Sequence, residues 1–439
     1  MDRRLLKLGN LPNASGFRLR NVLAEGIVVQ TATERSVECQ MHIGWDAGKW
    51  MQFACAKPGD DLLPFYTHLW KWEVDVSATI LSGVFQGWCL STSCAKAKTG
   101  RLSNDIHRGR NVSVTYEHAP HQYVHLYPPK GKEPEKKNDI LVYWLPNFIF
   151  DGLIETSQFR KKRILDGFRF IYGKNQIVFR QIADRKEVVE RLKAKTLAST
   201  ITAVMEVRGT LCLNASFRTA FERSLFSLVE AMEGCRVRPV AMARYSSEGR
   251  LKSIAWRPDH AADYYPHRFL VANRPGTCSW SGFLATALPG FMKDRKKMGL
   301  PSACWQMVEA RSSLCVPSSL AILLMCLENL SARYLHSQGV SMKRAPLEHK
   351  LNRTHKTLKC FPKWFRRSLG ESREDIRNPL FHEGRTDEQR FQKLMEYRLQ
   401  LLNACAAMLC AICDYRGPIV FADLRRGQRV MTIDEYAVS

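Results

Sequence analysis

Near its carboxyl end the chain sets an arginine and a histidine five residues apart, in Arg377-Asn378-Pro379-Leu380-Phe381-His382. These two side-chain types suit one reaction well. A ribonucleotide phosphodiester carries its own nucleophile, the 2′-hydroxyl. Its cleavage needs a base for that proton, an acid for the leaving 5′-oxygen and a cation against the charge on phosphorus. Histidine titrates near neutral pH and serves either proton-transfer role. Arginine stays charged and grips phosphate oxygens with a planar fork. Two copies of the pair, brought together by dimerisation, would supply a separate base and acid without a metal. The plainer reading of an Arg-x4-His spacing is a surface arginine beside a structural histidine.

The local backbone decides whether the two side chains meet. Residues five apart on an ideal helix point about 140° away from one another. Pro379 changes this in one of two ways. It sits in the first turn of a helix capped by Asn378, with His382 near the positive helix end, or it kinks a helix begun near Ser372 and ended at Gly384. The second fits better, because His382-Glu383-Gly384 followed by Thr386-Asp387-Glu388 reads as one helix stopping and another being capped. Asn378 either orients His382 or a phosphate oxygen, or only caps the chain before proline.

A second constellation precedes the first. Lys359-Cys360-Phe361-Pro362-Lys363-Trp364-Phe365-Arg366-Arg367 interleaves cations with aromatic rings. Rings stack on bases and cations hold phosphates, which makes Lys359, Lys363, Trp364, Arg366 and Arg367 candidate RNA contacts. The alternative is a loop whose rings plug a core while the charges stay wet. Weaker patterns lie elsewhere. His118, His121 and His125 fall in an expected hairpin, but no Cys or carboxylate completes a zinc set. Cys410 and Cys413 form a Cys-x-x-Cys inside an apolar helix, where packing, shared with Cys405, accounts for them. Cys89 and Cys94 lack matching partners. Arg425-Arg426-Gly427-Gln428-Arg429 has the charge to bind RNA, but a solvated turn is the better reading. No Gly-x4-Gly-Lys-Ser/Thr loop, Gly-x-Ser-x-Gly elbow or usable carboxylate pair occurs, which argues against an ATPase or a serine hydrolase.

The bulk numbers agree with a polyanion partner. The 439 residues carry a formal charge of +24 and are 45% apolar, enough for two or three cored domains with a strong attraction for nucleic acid. No stretch approaches the ~20 apolar residues that span a bilayer. The first ten residues, Met1 to Asn10, include no secretory hydrophobic segment. The 14 cysteines are scattered in apolar surroundings, as small core residues of a reducing compartment are. A cytoplasmic protein with no membrane contact and no disulfide framework is expected.

Elements to position these residues follow from periodicity. The fold class is α+β, with a β-rich region over 1–295 (broken near 150–215), a helical bundle over 300–420 and a tail over 421–439. Strand-like runs are Val22–Thr31, Val37–Ile43, Trp72–Phe85, Asn111–Tyr116, Tyr123–Tyr127, Ile140–Phe150, Phe168–Phe179, Val237–Tyr245 and Arg250–Trp256. Pro128 to Asp139 reads as a solvated loop. Phe217, Phe221, Leu225 and Leu228 predict a helix from Ala215 to Glu233, stopped by Gly234. Met292 to Pro301 mixes charge with helix breakers and reads as a linker. Beyond it, helices are expected over Ser318–Leu335, Leu347–Cys360, a short piece with Arg377 and His382, and Thr386–Tyr415. Leu320, Leu323, Leu324, Leu327 and Leu330 form one core face, and Phe391, Leu394, Met395, Leu401, Leu402 and Leu409 another.

The run Asp375 to Gly384, set between two long apolar helices, resembles the HEPN superfamily, particularly its Apea-like branch. In that family an Arg, a polar residue and a His lie just before the last long helix, and an earlier helix carries a Leu-Glu-x-Leu stretch, matched here by Leu327-Glu328-Asn329-Leu330. Glu383 before the glycine and Pro379 within the motif are departures. The resemblance covers about residues 300–420. It implies a metal-independent endoribonuclease that needs no cofactor and acts as a homodimer, with catalytic Arg377, His382 and Asn378 and with Glu328 supporting Arg377. It further implies an anti-phage or abortive-infection effector, whose N-terminal region meets a phage-derived or partner-protein trigger. Two other readings stand beside it: a non-catalytic HEPN scaffold that dimerises or holds RNA in a defence or regulatory complex, and an enzyme whose site lies in the N-terminal region.

Overall fold

This computed structural model describes the strands up to residue 126 by their backbone alone. Side chains are described over most of 134–150, 167–181, 201–255, 279–367 and 392–439, and at a few positions besides. Helix and antiparallel sheet both contribute, so the protein is a mixed α+β fold. The strands are β1 (Leu19–Gln30), β2 (Ser36–Asp46), β3 (Lys49–Cys55), β4 (Glu73–Ile80), β5 (Cys89–Asp105), β6 (Gly109–His118), β7 (Val124–Tyr127), β8 (Ile140–Pro146), β9 (Gly167–Tyr172), β10 (Asn175–Gln181), β11 (Ile201–Arg208), β12 (Ala241–Tyr245) and β13 (Leu251–Trp256). The chain divides into two compact units, each assembled from three separate stretches.

The first unit comprises Met1–Asn147, Ile182–Leu213 and Arg238–Asp263. Here β1, β2, β3, β6, β5 and β4 pair in turn, and β4 returns to β1, closing a ring of antiparallel strands. Closure satisfies strand edges that would otherwise stand unpaired. β5 is the strand that propensity hides, because CLSTSCAKAKTGRLSND is rich in residues depleted from sheets. Its pairing with β4, β6 and β7 supplies what composition does not.

The expected histidine hairpin is also corrected. His118 of β6 lies opposite Ala95 and His125 of β7 opposite Ser91, so both strands run in line along one side of β5. The two backbones are about 13 Å apart at ~3.3 Å per strand residue. From β7 the sheet continues through β13, β12, β8 and β11.

Every residue of β8 is buried. The expected solvated loop before it ends on Asp139, which is 1% exposed and accepts from Lys252 Nζ at 2.8 and 3.1 Å. Arg244 stands beside the same carboxylate at 4.0 Å. A buried charge is tolerable only when paired and hydrogen-bonded, so the loop is anchored where it enters the sheet.

The second unit comprises Phe148–Gln181, Asn214–Val237 and Tyr264–Ser439. The run 168–179 is a hairpin of β9 and β10, turning at Gly173 with φ 57°, and not one strand. Its helices are α1 (Ala215–Glu233), α2 (Trp280–Asp294), α3 (Leu300–Ser312), α4 (Val316–Ser337), α5 (Leu347–Leu358), α6 (Lys363–Ser372) and α7 (Phe391–Ile412). They are followed by the hairpin β14 (Pro418–Asp423) and β15 (Gly427–Thr432), then α8 (Ile433–Val438). The 421–439 tail is therefore structured. Asn403 of α7 ties it down, donating to Ala422 O at 2.8 Å and accepting from Ala422 N at 3.1 Å.

Sequence signals start and stop these helices. Asn214 caps α1 by accepting from Phe217 N, and Ser279 caps α2 through Gly282 N. Gly234 ends α1 in the left-handed region, as expected. Phe221, Leu225 and Leu228 are buried, whereas Phe217 is 41% exposed and stacks against Tyr172. The segment 292–301, read as a linker, is the turn between α2 and α3, entered through Gly299 at φ 64°. Helix breakers with charges mark a tight turn as readily as a domain edge.

Leu320, Leu323, Leu324, Leu327 and Leu330 are all buried, and α4 packs on α3, α5 and α7. On α7, Leu394, Leu401, Leu402 and Leu409 are buried; Met395 is half-buried, and Tyr397 fills that turn. Trp280 of α2 meets Phe148 edge-on at 5.4 Å, within a cluster that includes the stacked pair Phe168 and Phe179. Gly290 lets α2 touch the end of α7, since a Cβ there would fall 2.6 Å from Cys413 O.

Candidate nucleic-acid interface

α6 ends at Ser372 and α7 begins at Phe391. Arg377, Asn378 and His382 lie between them, outside the described residues. What the structure does place is the helical frame on both sides of that segment, with the basic and aromatic residues that lead into it.

α5 stops at Lys359, whose φ of 47° is left-handed and whose N–H donates to His355 O at 2.8 Å. The chain then reverses. Cys360, Phe361 and Pro362 turn inward, and Arg366 N donates to Pro362 O at the start of α6. Phe361 and Phe365 are both fully buried, with ring centres 6.0 Å apart. These rings hold α6 to the bundle. Trp364 points the other way. It is 40% exposed and meets Phe365 edge-on at 6.0 Å and 81°.

The two readings of this stretch thus divide by residue: two rings plug the core, and one remains at the surface. Lys359, Lys363 and Arg367 are exposed beside it. Arg366 is half-buried and donates from Nη1 to Asn352 Oδ1 at 2.8 Å, joining α6 to α5.

Glu328, on α4 between buried Leu327 and Leu330, accepts from Lys350 Nζ of α5 at 2.8 Å. Its carboxylate is therefore engaged with α5. Three basic-helix residues escaped the sequence reading: His355, Arg353 and Lys356. His355 is half-buried and its Nδ1 accepts from Phe361 N at 3.3 Å. Burial, with Arg366 and Lys359 nearby, holds its imidazole below the usual histidine range. Arg353 and Lys356 are exposed on the same helix. The available signal was α5 itself, LEHKLNRTHKTL, whose charged positions hold one acid among cations.

The Cys-x-x-Cys constellation resolves as packing. Cys405, Cys410 and Cys413 are buried, and burial pushes the Cys413 thiol well up. Arg398 of α7 donates to the carbonyls of Ala310, Arg311 and Ser313, closing the end of α3. Arg429 lies in β15 with its side chain exposed. Among the described residues no cluster of three or more His, Cys, Asp or Glu could hold a metal ion. No helix among them is long and apolar enough to cross a membrane. The chain matches no known family model, no characterised protein and no solved structure.

Proposed function

We propose that this protein is a metal-independent endoribonuclease of HEPN type, with a β-rich sensing or regulatory region preceding the catalytic helical bundle. Arg377 would bind the scissile phosphate and His382 would move the proton. Asn378 would orient one or the other. Two subunits would together provide base and acid for attack by the 2′-hydroxyl, leaving a 2′,3′-cyclic phosphate. An antiviral, abortive-infection role in the cytoplasm belongs to the same proposal, as does a phage-derived or partner trigger.

The observation that carries this reading is the exposed set of Lys359 at the end of α5 and Lys363, Trp364 and Arg367 on α6, the helix that precedes the Arg-Asn-x-x-x-His segment in sequence. A polyanion held there lies close in sequence to the two residues whose chemistry fits RNA cleavage. Incubation of the purified protein with RNA, without divalent metal, tests it. The expected result is cyclic-phosphate ends from wild type and none from a folded His382→Ala variant. Undiminished cleavage by that variant would overturn the assignment.

The same exposed cations also fit a non-catalytic protein that only holds RNA. That reading predicts binding weakened by Arg377→Ala with no cleavage by any variant.

A further inference from the structure

Residues 347–367 contain seven Lys or Arg, two His and a single acid, Glu348. One of the cations, Lys350, is buried against Glu328. Of the remaining six, Arg353, Lys356, Lys359, Lys363 and Arg367 are exposed, and among the described residues none of these five is in an ion pair. The cations are spread over both α5 and α6, which the Arg366–Asn352 hydrogen bond fastens together. A solvated helix face of ordinary stability interleaves both signs of charge, since like charges at i,i+4 repel. Over 347–372 the acids are Glu348 and Glu371 against seven Lys or Arg, so the two helices keep an excess of positive charge that has a counter-charge to meet.

A stacking element lies on the same hairpin. Trp364 presents its ring to solvent, and its edge-on contact with buried Phe365 limits the ring's freedom before any ligand arrives. An exposed indole among cations is what a strand with unpaired bases requires. The phosphates meet the lysines and arginines, and a base stacks on the ring. A duplex offers phosphates but keeps its bases stacked internally. A lipid headgroup surface would meet an indole flanked by apolar side chains, and here the flanking positions 363 and 367 are charged.

We propose that α5 and α6 form a platform for a single polynucleotide strand, with a base on Trp364 and phosphates on Arg353, Lys356, Lys359, Lys363 and Arg367. The proposal rests on the RNA reading above for the nature of the ligand, and it separates where the strand is held from where it is cut. His355 is held below the usual histidine range by burial first and then by the Arg366 and Lys359 charges.

The test uses the full chain and a fluorescein-labelled 2′-O-methyl oligouridylate, which lacks the 2′-hydroxyl nucleophile and stays intact during titration. The salt dependence of affinity is measured for wild type, Lys356→Gln/Lys359→Gln/Lys363→Gln and Trp364→Ala, with Trp364→Phe as the conservative control. Each lost phosphate contact reduces the slope of log affinity against log salt by about 0.7 for single strands, so the triple variant should be shallower by about 2. Trp364→Ala should bind roughly tenfold more weakly with its slope unchanged, and Trp364→Phe should recover most of the loss.

Unchanged affinity and slope in the folded triple variant would overturn the platform. So would equal loss for a blunt duplex of the same length. Binding of phosphatidylserine vesicles that depends on these residues, without oligonucleotide binding, would also overturn it. Cleavage of natural RNA is scored separately. Loss of the platform with intact cutting, or the reverse, shows which of the two proposals fails.

Discussion

Substitution of Gly234 by alanine should destabilise the protein far more than an ordinary glycine-to-alanine change. Gly234 caps α1 with φ 82° and donates to Glu230 O. An L-residue in that region costs about 1 kcal/mol. Steric overlap costs more. A Cβ at this position would lie 2.1 Å from Arg311 Cζ and 2.4 Å from its Nε, so the guanidinium has to move. That group is buried in α3 and donates to the carbonyls of Ala231, Met232 and Glu233, the unsatisfied end of α1. Burial pulls its pKa down to about 10, so it retains its charge at neutral pH.

Charge-assisted hydrogen bonds contribute about 1.5–3 kcal/mol each, and displacement forfeits at least one of the three. The expected total is about 3–5 kcal/mol. Arg311→Met should cost a similar amount, because the same carbonyls lose their donor. The double variant should cost less than the sum, with a coupling of about 2 kcal/mol, because methionine can bend away from the new methyl group. Urea unfolding followed by far-ultraviolet circular dichroism measures all three at constant slope. A Gly234→Ala variant within about 1 kcal/mol of wild type, or strictly additive costs, would refute the reasoning.

Two further outcomes follow from burial. Desolvation pushes the Glu233 carboxyl well above its ordinary 4.5, against the pull of the Arg311 guanidinium and the Ile149 N–H. The raised value means the fold prefers the neutral acid. That contribution is complete below 4.5 and is lost as pH rises through the folded value, so wild type should lose stability on that climb. Glu233→Gln should flatten the profile of melting temperature against pH; parallel profiles would refute it. Among the eight described cysteines Cys315 is exposed, and hydrogen bonds from Ser318 hold its thiol below the usual range. Brief iodoacetamide treatment should modify it before the other seven, which are buried. Peptide mass spectra showing any of those seven labelled first would contradict this.

Several elements were legible because one local rule decided them. The three-to-four spacing of leucines in α4 fixes which face is buried whatever it packs against, and Gly234 is a stop signal by its own conformational freedom. Others depend on distant partners. β5 has the composition of a loop and becomes a strand through the neighbours that complete its hydrogen bonds. The turn at 295–299 resembles a linker until the helices on either side of it are in place.

The interface shows the same division. From sequence alone, the alternation of cations and rings at 359–367 and the Arg377–His382 pair are visible as chemical types. Tertiary packing decided that Phe361 and Phe365 serve the core while Trp364 faces water, and that Arg353 and Lys356 share the basic hairpin. The physical reason is that charge and aromaticity belong to a residue, whereas exposure belongs to its neighbours. Sequence therefore determined which chemistry this protein has available, and the fold decided which of those groups a ligand can reach.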